Sequence, residues 1–260
     1  MARTATPEDP SRPIDGRRSR RTIVVLALTT IFFAATTGFF AWRESVPQKI
    51  VRLIWPGYAP FFDPFDLTSA LIDIYPTEHA TIVMLGDSIT SSVDWSELLG
   101  RSDVVNRGIP GDTTVGMLAR IDSVIKLRPK YCFIMGGIND LGARREPQQI
   151  MADIARIVDR LKAANIVPVL QSTLYVRTTE DDIRFDLAPA NRNNENVKEL
   201  DRLIEAYAKK NELTYLDLNA ELAPGGALAA RMTYDGLHVT AAAYRIWGER
   251  VEAYLKSKGM

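Results

Sequence analysis

Cysteine and histidine are scarce in this chain. Its 260 residues contain one cysteine, Cys132, and two histidines, His79 and His238. A single cysteine excludes an intrachain disulfide, and its place in the apolar run Tyr131 to Met135 reads as a small buried hydrophobe. So few sulfur and imidazole ligands leave little for a zinc site, and neither H-E-x-x-H nor paired C-x-x-C occurs. No metal and no cofactor is expected. Excess charge is missing too. Lys+Arg and Asp+Glu both number 32, for a formal net charge of +0, which argues against a polyanion partner such as nucleic acid. Internal repeats and low-complexity tracts are absent. Hydrophobic residues at 46% and charged residues at 25% give a globular balance instead.

Charge is also absent from one long stretch. Residues 1–21 are polar and proline-interrupted and end in Arg17, Arg18, Arg20 and Arg21. From Thr22 to Trp42, "TIVVLALTTIFFAATTGFFAW" carries no charge. At about 1.5 Å per residue it makes roughly 31 Å of helix, enough to cross a bilayer core. Arginines before it and aromatic residues at its far end predict a basic cytoplasmic tail (1–21), a signal anchor (22–42) and an extracytoplasmic, periplasmic or extracellular, remainder. The alternative is a cleaved export signal and a secreted protein, and "SRRTIVV" (Ser19 to Val25) is similar to a twin-arginine signal. The apolar run is longer than such signals need. Residues 43–79 read as a connecting segment, irregular through the prolines of "IWPGYAPFFDPFDL" (Ile54 to Leu67), with a short helix over Leu67 to Tyr75.

After residue 80 the pattern becomes regular. Apolar runs at 81–86, 103–108, 131–137, 166–173 and 213–218 suit strands of a parallel sheet buried on both faces. Helical periodicity fills the gaps. Residues 113–127 place Val115, Leu118, Ile121, Ile125 and Leu127 mainly on one face, and 147–165, 195–211 and 240–257 follow the same logic. Alternation of this kind over residues 80–260 predicts an open α/β sandwich whose ligand lies beyond the carboxyl ends of the strands.

Four polar clusters fall at strand ends or in late loops: Gly86-Asp87-Ser88, "NRGIPGDTT" (Asn106 to Thr114), "GGIND" (Gly136 to Asp140) and "DGLH" (Asp235 to His238). Each alone reads as a turn or a helix cap. Together they hold the parts of acyl-transfer chemistry. A serine hydroxyl is a weak nucleophile and needs a base; His238 can supply it to Ser88. Asp235, three residues earlier, can hold the imidazole. The Ser88 and Gly111 amides and the Asn139 side chain are candidate donors to an oxyanion. The base must be neutral to act, so acid should silence the reaction.

In this order the segments resemble the motif blocks of the SGNH hydrolase superfamily, the GDSL lipases/acylhydrolases, over about residues 80–257. "GDSIT" is similar to the first block, "NRGIPGDTT" to the second, "GGIND" to the third and "DGLH" to the D-x-x-H block. The resemblance implies a flavodoxin-like three-layer α/β/α sandwich with a mostly parallel five-stranded sheet, here preceded by a transmembrane helix. It implies Ser88 as nucleophile, Asp235 and His238 completing the triad, and Ser88, Gly111 and Asn139 as the oxyanion hole. The wording is most like the branch related to platelet-activating factor acetylhydrolase-like and carbohydrate-acetyl esterases. That implies a small ester, an acylated saccharide or a lipid as substrate, with short acyl groups, acetyl in particular. No G-x-S-x-G elbow occurs, which argues against the α/β-hydrolase fold. No phosphate-cradling glycine pattern follows the first strand, which argues against a flavodoxin-like cofactor binder. An O-acyltransferase using the same site, or a non-catalytic envelope polysaccharide-binding protein, stays open. The loop from Leu174 to Asn194, with Tyr175 and Arg177, is the candidate substrate-binding segment. Asp217 is a weaker candidate for the acid, and His79 reads as a surface residue. Oligomeric state is not legible.

Overall fold

The computed structural model describes residues 64–177 and 194–260. The proposed anchor, the basic tail and most of the loop after Arg177 lie outside the described residues. Among the described residues no helix is long and apolar enough to cross a membrane.

The chain opens with helix α1 (Pro64–Ile74) and strand β1 (Ile82–Gly86). Two short helices, α2 (Ser88–Ser91) and α3 (Trp95–Leu98), lead to β2 (Val104–Gly108). Then come α4 (Thr114–Ala119), α5 (Asp122–Ile125), β3 (Tyr131–Met135), α6 (Ile138–Gly142), α7 (Pro147–Ala163) and β4 (Val167–Gln171). Helix α8 (Asn194–Lys210), β5 (Thr214–Leu216), α9 (Asn219–Leu222) and α10 (Ala241–Ser257) complete the order. All five strands are parallel, in the order β2-β1-β3-β4-β5. The order reverses between β1 and β3, and a crevice for ligand opens at such a switch point.

Both sheet faces are covered, as the fully buried strands β1 and β3 require. Helix α7 packs against α4 and α8. Register aligns Met84 with Asn106 and Phe133 on the other face. There Tyr254 of α10 meets Tyr131 and Phe133 edge-on, and Trp95 of α3 meets Trp247 of α10 at 4.8 Å between ring centroids. The open α/β sandwich expected from the alternation is therefore present, with the three layers that the resemblance implied.

Two local expectations need correction. The single helix over 113–127 is broken into α4 and α5. Arg120 leaves helical geometry, and its guanidinium is drawn to Asp112 and the Gly86 carbonyl. The buried stripe shifts with the break: Thr114, Met117, Ile121 and Val124 face inward, while Val115 is 51% exposed. The helix expected from Leu67 starts earlier, at Pro64. Proline suits a first helical turn, where its missing N–H would have no partner anyway.

Candidate active site

Strand β1 ends at Gly86, where a side chain would have no room: a Cβ would lie 2.6 Å from the Met135 carbonyl oxygen. Asp87 then caps α2, its Oδ1 accepting the Ile89 amide at 2.9 Å. This cap sets Ser88 at the first position of the helix, half-buried at the carboxyl end of the sheet. Asn106 in the middle of β2 locks the turn from the other side. Its Nδ2 donates to the carbonyls of Thr90 and Val93, and its Oδ1 accepts the Gly108 amide. The Tyr244 hydroxyl of α10 donates to the Ile89 carbonyl at 2.7 Å.

The segment carrying His238 is a tight reversal closed by a bridge between Thr233 and Val239. The Thr233 hydroxyl accepts the Gly236 amide and donates to the His238 carbonyl. Asp235 is buried; its Oδ1 accepts the Leu237 and His238 amides, and its Oδ2 lies 2.6 Å from His238 Nδ1. His238 Nε2 lies 3.0 Å from Ser88 Oγ. Burial opposes ionisation of Asp235 most strongly, yet the bonds from the His238 ring and the two amides outweigh it and hold the carboxyl below its ordinary value. An ionised carboxylate only accepts, so Nδ1 carries a proton, and in the neutral imidazole the Nε2 lone pair then faces the serine hydroxyl.

The oxyanion candidates come from three strand ends. Gly111 adopts φ +78°, a backbone state that favours glycine, although a Cβ there would meet nothing within 4 Å. Asn139 sits in the first turn of α6 and donates one N–H to the Asp112 carbonyl at 2.8 Å, which orients the amide and leaves its second N–H to donate elsewhere. Beneath them, Asp112 pairs with Arg120 at 2.7 Å, and Asp140 accepts the Thr114 amide and hydroxyl and pairs with Arg145. These buried pairs tie the second and third clusters together. Among the described residues no three His, Cys, Asp or Glu side chains gather as a metal cage.

The model of the GDSL-like lipase/acylhydrolase family matches residues 84–246, more than half of the sequence. The chain belongs to this family. It is 33% identical over 102 residues to thioesterase 1/protease 1/lysophospholipase L1 of Escherichia coli (strain K12), covering 35% of this chain and 49% of that protein. The chain thus matches about half the length of that relative. A GDSL-like lipase from Bacteroides thetaiotaomicron superposes with a TM-score of 0.63 at 23% identity, over 75% of this chain and 98% of its own. A Streptococcus pneumonia protein termed a platelet activating factor gives 0.64 at 22% identity, over 81% and 100%. At these identities the two structures speak for the fold.

The structure brings Ser88, Asp235 and His238 into one hydrogen-bonded line, and places Gly111, in the loop after β2, and Asn139, in the first turn of α6, at the same end of the sheet. Arg177 touches this region through its backbone, its amide donating to the Gly236 carbonyl at 2.8 Å. Tyr175 is placed differently. Its amide donates to Asn219, burial chiefly pushes its phenol up, and the acids next to it are Asp201, Asp217 and Glu195. Asp217 is exposed and accepts the Ala220 amide, away from the histidine; His79 is exposed. One aromatic residue beside the Ser88, His238 and Asp235 line escaped the sequence reading. Tyr234 stacks on His238 with ring centroids 5.9 Å apart and planes 15° from parallel. Its signal was an aromatic side chain immediately before the D-x-x-H block.

Proposed function

We propose that this chain is a serine esterase that cleaves short acyl esters, acetyl in particular, from saccharides or lipids. One observation carries the chemistry: His238 bridges Ser88 Oγ at 3.0 Å and buried Asp235 at 2.6 Å. His238 Nε2 takes the serine proton as Ser88 Oγ attacks the ester carbonyl carbon, and the carbonyl electrons move onto oxygen. The Ser88 and Gly111 amides and the Asn139 amide are the donors for that charge. Collapse breaks the bond to the alcohol oxygen, which takes the proton from the imidazolium. Water, deprotonated by the same nitrogen, then releases the acid and frees Ser88. Family membership supports the acyl chemistry, and the motif resemblance to acetyl-ester-cleaving enzymes supports the short acyl group. The arginine cluster before the uncharged stretch 22–42 supports an extracytoplasmic domain tethered by its N-terminus.

The test is hydrolysis of an aryl acetate by the full chain, with Ser88→Ala expected to lower kcat/KM by about 10,000-fold or more. A fluorophosphonate should label Ser88 in the parent and not in the variant. Undiminished activity in Ser88→Ala overturns the assignment.

A further inference from the structure

Tyr234 combines two properties that structural aromatic residues rarely share. One face of its ring lies parallel to the catalytic imidazole, and 58% of its surface remains exposed. Its backbone has no freedom to explain this as a loose loop tip: the Tyr234 amide donates to the His238 carbonyl, Thr233 and Val239 bridge the reversal, and Asp235 holds two amides of the same segment. The backbone carrying this large, exposed ring is thus fixed next to the base. The stacking itself is worth little more than a weak aromatic pair, which leaves the exposed ring surface to be accounted for.

Resting on the serine-esterase reading, we infer that Tyr234 is the specificity-determining platform for the alcohol half of the ester. The argument follows the proton. His238 Nε2 must deliver it to the leaving alcohol oxygen, so the alcohol passes alongside the imidazole. The acyl carbonyl oxygen turns the other way, toward the Gly111 and Asn139 donors. The ring stacked on the imidazole therefore borders the alcohol and not the acyl chain. A flat exposed phenol face fits a flat or ring-shaped alcohol, an aryl group or the C–H face of a pyranose, better than a short alkyl chain. Among the two substrate classes above, it favours acylated saccharides.

The experiment compares the full chain with Tyr234→Ala and Tyr234→Phe on two ester series. The first holds acetyl constant and varies the alcohol: methyl, phenyl and acetylated methyl glycoside. The second holds phenol constant and lengthens the acyl chain. Tyr234→Ala should lower kcat/KM for phenyl and glycosyl acetates by about 3–10-fold relative to methyl acetate. It should leave the acyl-length profile and the deacylation rate unchanged, because the alcohol has left by then. Tyr234→Phe should behave as the parent. An unchanged alcohol preference in Tyr234→Ala overturns the inference while leaving the esterase intact. Equal loss in acylation and deacylation also overturns it, since the ring would then act only by holding His238. Failure of the parent to hydrolyse any ester removes the esterase reading and this inference together.

Discussion

At the residue scale, Asp87 stands apart from the other acids under the site. Asp112 has Arg120 and Asp140 has Arg145, but no cation pairs with Asp87 among the described residues. It is fully buried, Oδ1 takes the Ile89 amide, and Oδ2 has no partner. Burial chiefly raises its pKa from 3.8 to about 7; Asp112 and Asp140 push the same way, while the Ile89 amide and His238 oppose. The folded pKa lies above the unfolded one, so the folded state holds an extra proton between the two values. Stability from this group is present below about pH 4 and is lost as pH rises to about 7. Spread over that window, the loss is on the order of 4 kcal/mol. Asp87→Asn keeps an acceptor for the Ile89 amide and cannot ionise. Denaturant unfolding of both proteins between pH 4 and pH 9 should show curves that start close together, diverge up to about pH 7 and run parallel above it, the variant becoming the more stable. Curves parallel over the whole range would mean that Asp87 meets a partner in solution which offsets its charge.

At the element scale, Ser88, the proposed nucleophile, is positioned by the approach of α2 to the end of β2. A Cβ on Gly108 would overlap the Ser91 amide nitrogen and sit 2.8 Å from its Cα. Both are backbone atoms, so no side-chain rotation relieves the clash. Gly108→Ala should push α2 away from β2 and draw Ser88 from His238. We expect kcat/KM to fall by about 100-fold and stability by about 1–3 kcal/mol, read by kinetics and thermal unfolding. Parental kinetics would show that α2 is not held by this contact.

The strands and the polar clusters at their ends were legible in sequence because both are local. A run such as "YCFIM" reads from its own composition as a strand buried on both faces, and a Gly-Asp-Ser directly after such a run falls at the strand's carboxyl end. The break between α4 and α5 was not legible. It is made by the reach of Arg120 to Asp112 and to Gly86, the latter 34 residues away. The cross-links of Asn106 and Tyr244 to α2 and the stack of Tyr234 on His238 were equally hidden, since each depends on how separate elements meet or on the path of a tight loop.

At the scale of the whole molecule, the proposed activity is tied to a location. On the proposed reading the short acyl esters of saccharides or lipids are met outside the cytoplasm, and residues 1–42 are proposed to carry the domain there. Arg17, Arg18, Arg20 and Arg21 resist translocation, and the uncharged stretch 22–42 has the length of one bilayer crossing. An export signal needs only about 7–15 apolar residues before a small-residue cleavage site. The longer run here favours retention. Expressed from its first methionine in a bacterial host, the full chain should sediment with membranes, resist extraction by high salt and alkaline carbonate, and dissolve in detergent. Protease added to spheroplasts should digest the catalytic domain and spare an epitope placed before Arg17. A shortened chain in the periplasm or medium, starting near residue 43, would replace the anchor with a cleaved signal. Protection of the catalytic domain in spheroplasts would reverse the proposed orientation and overturn the extracytoplasmic location.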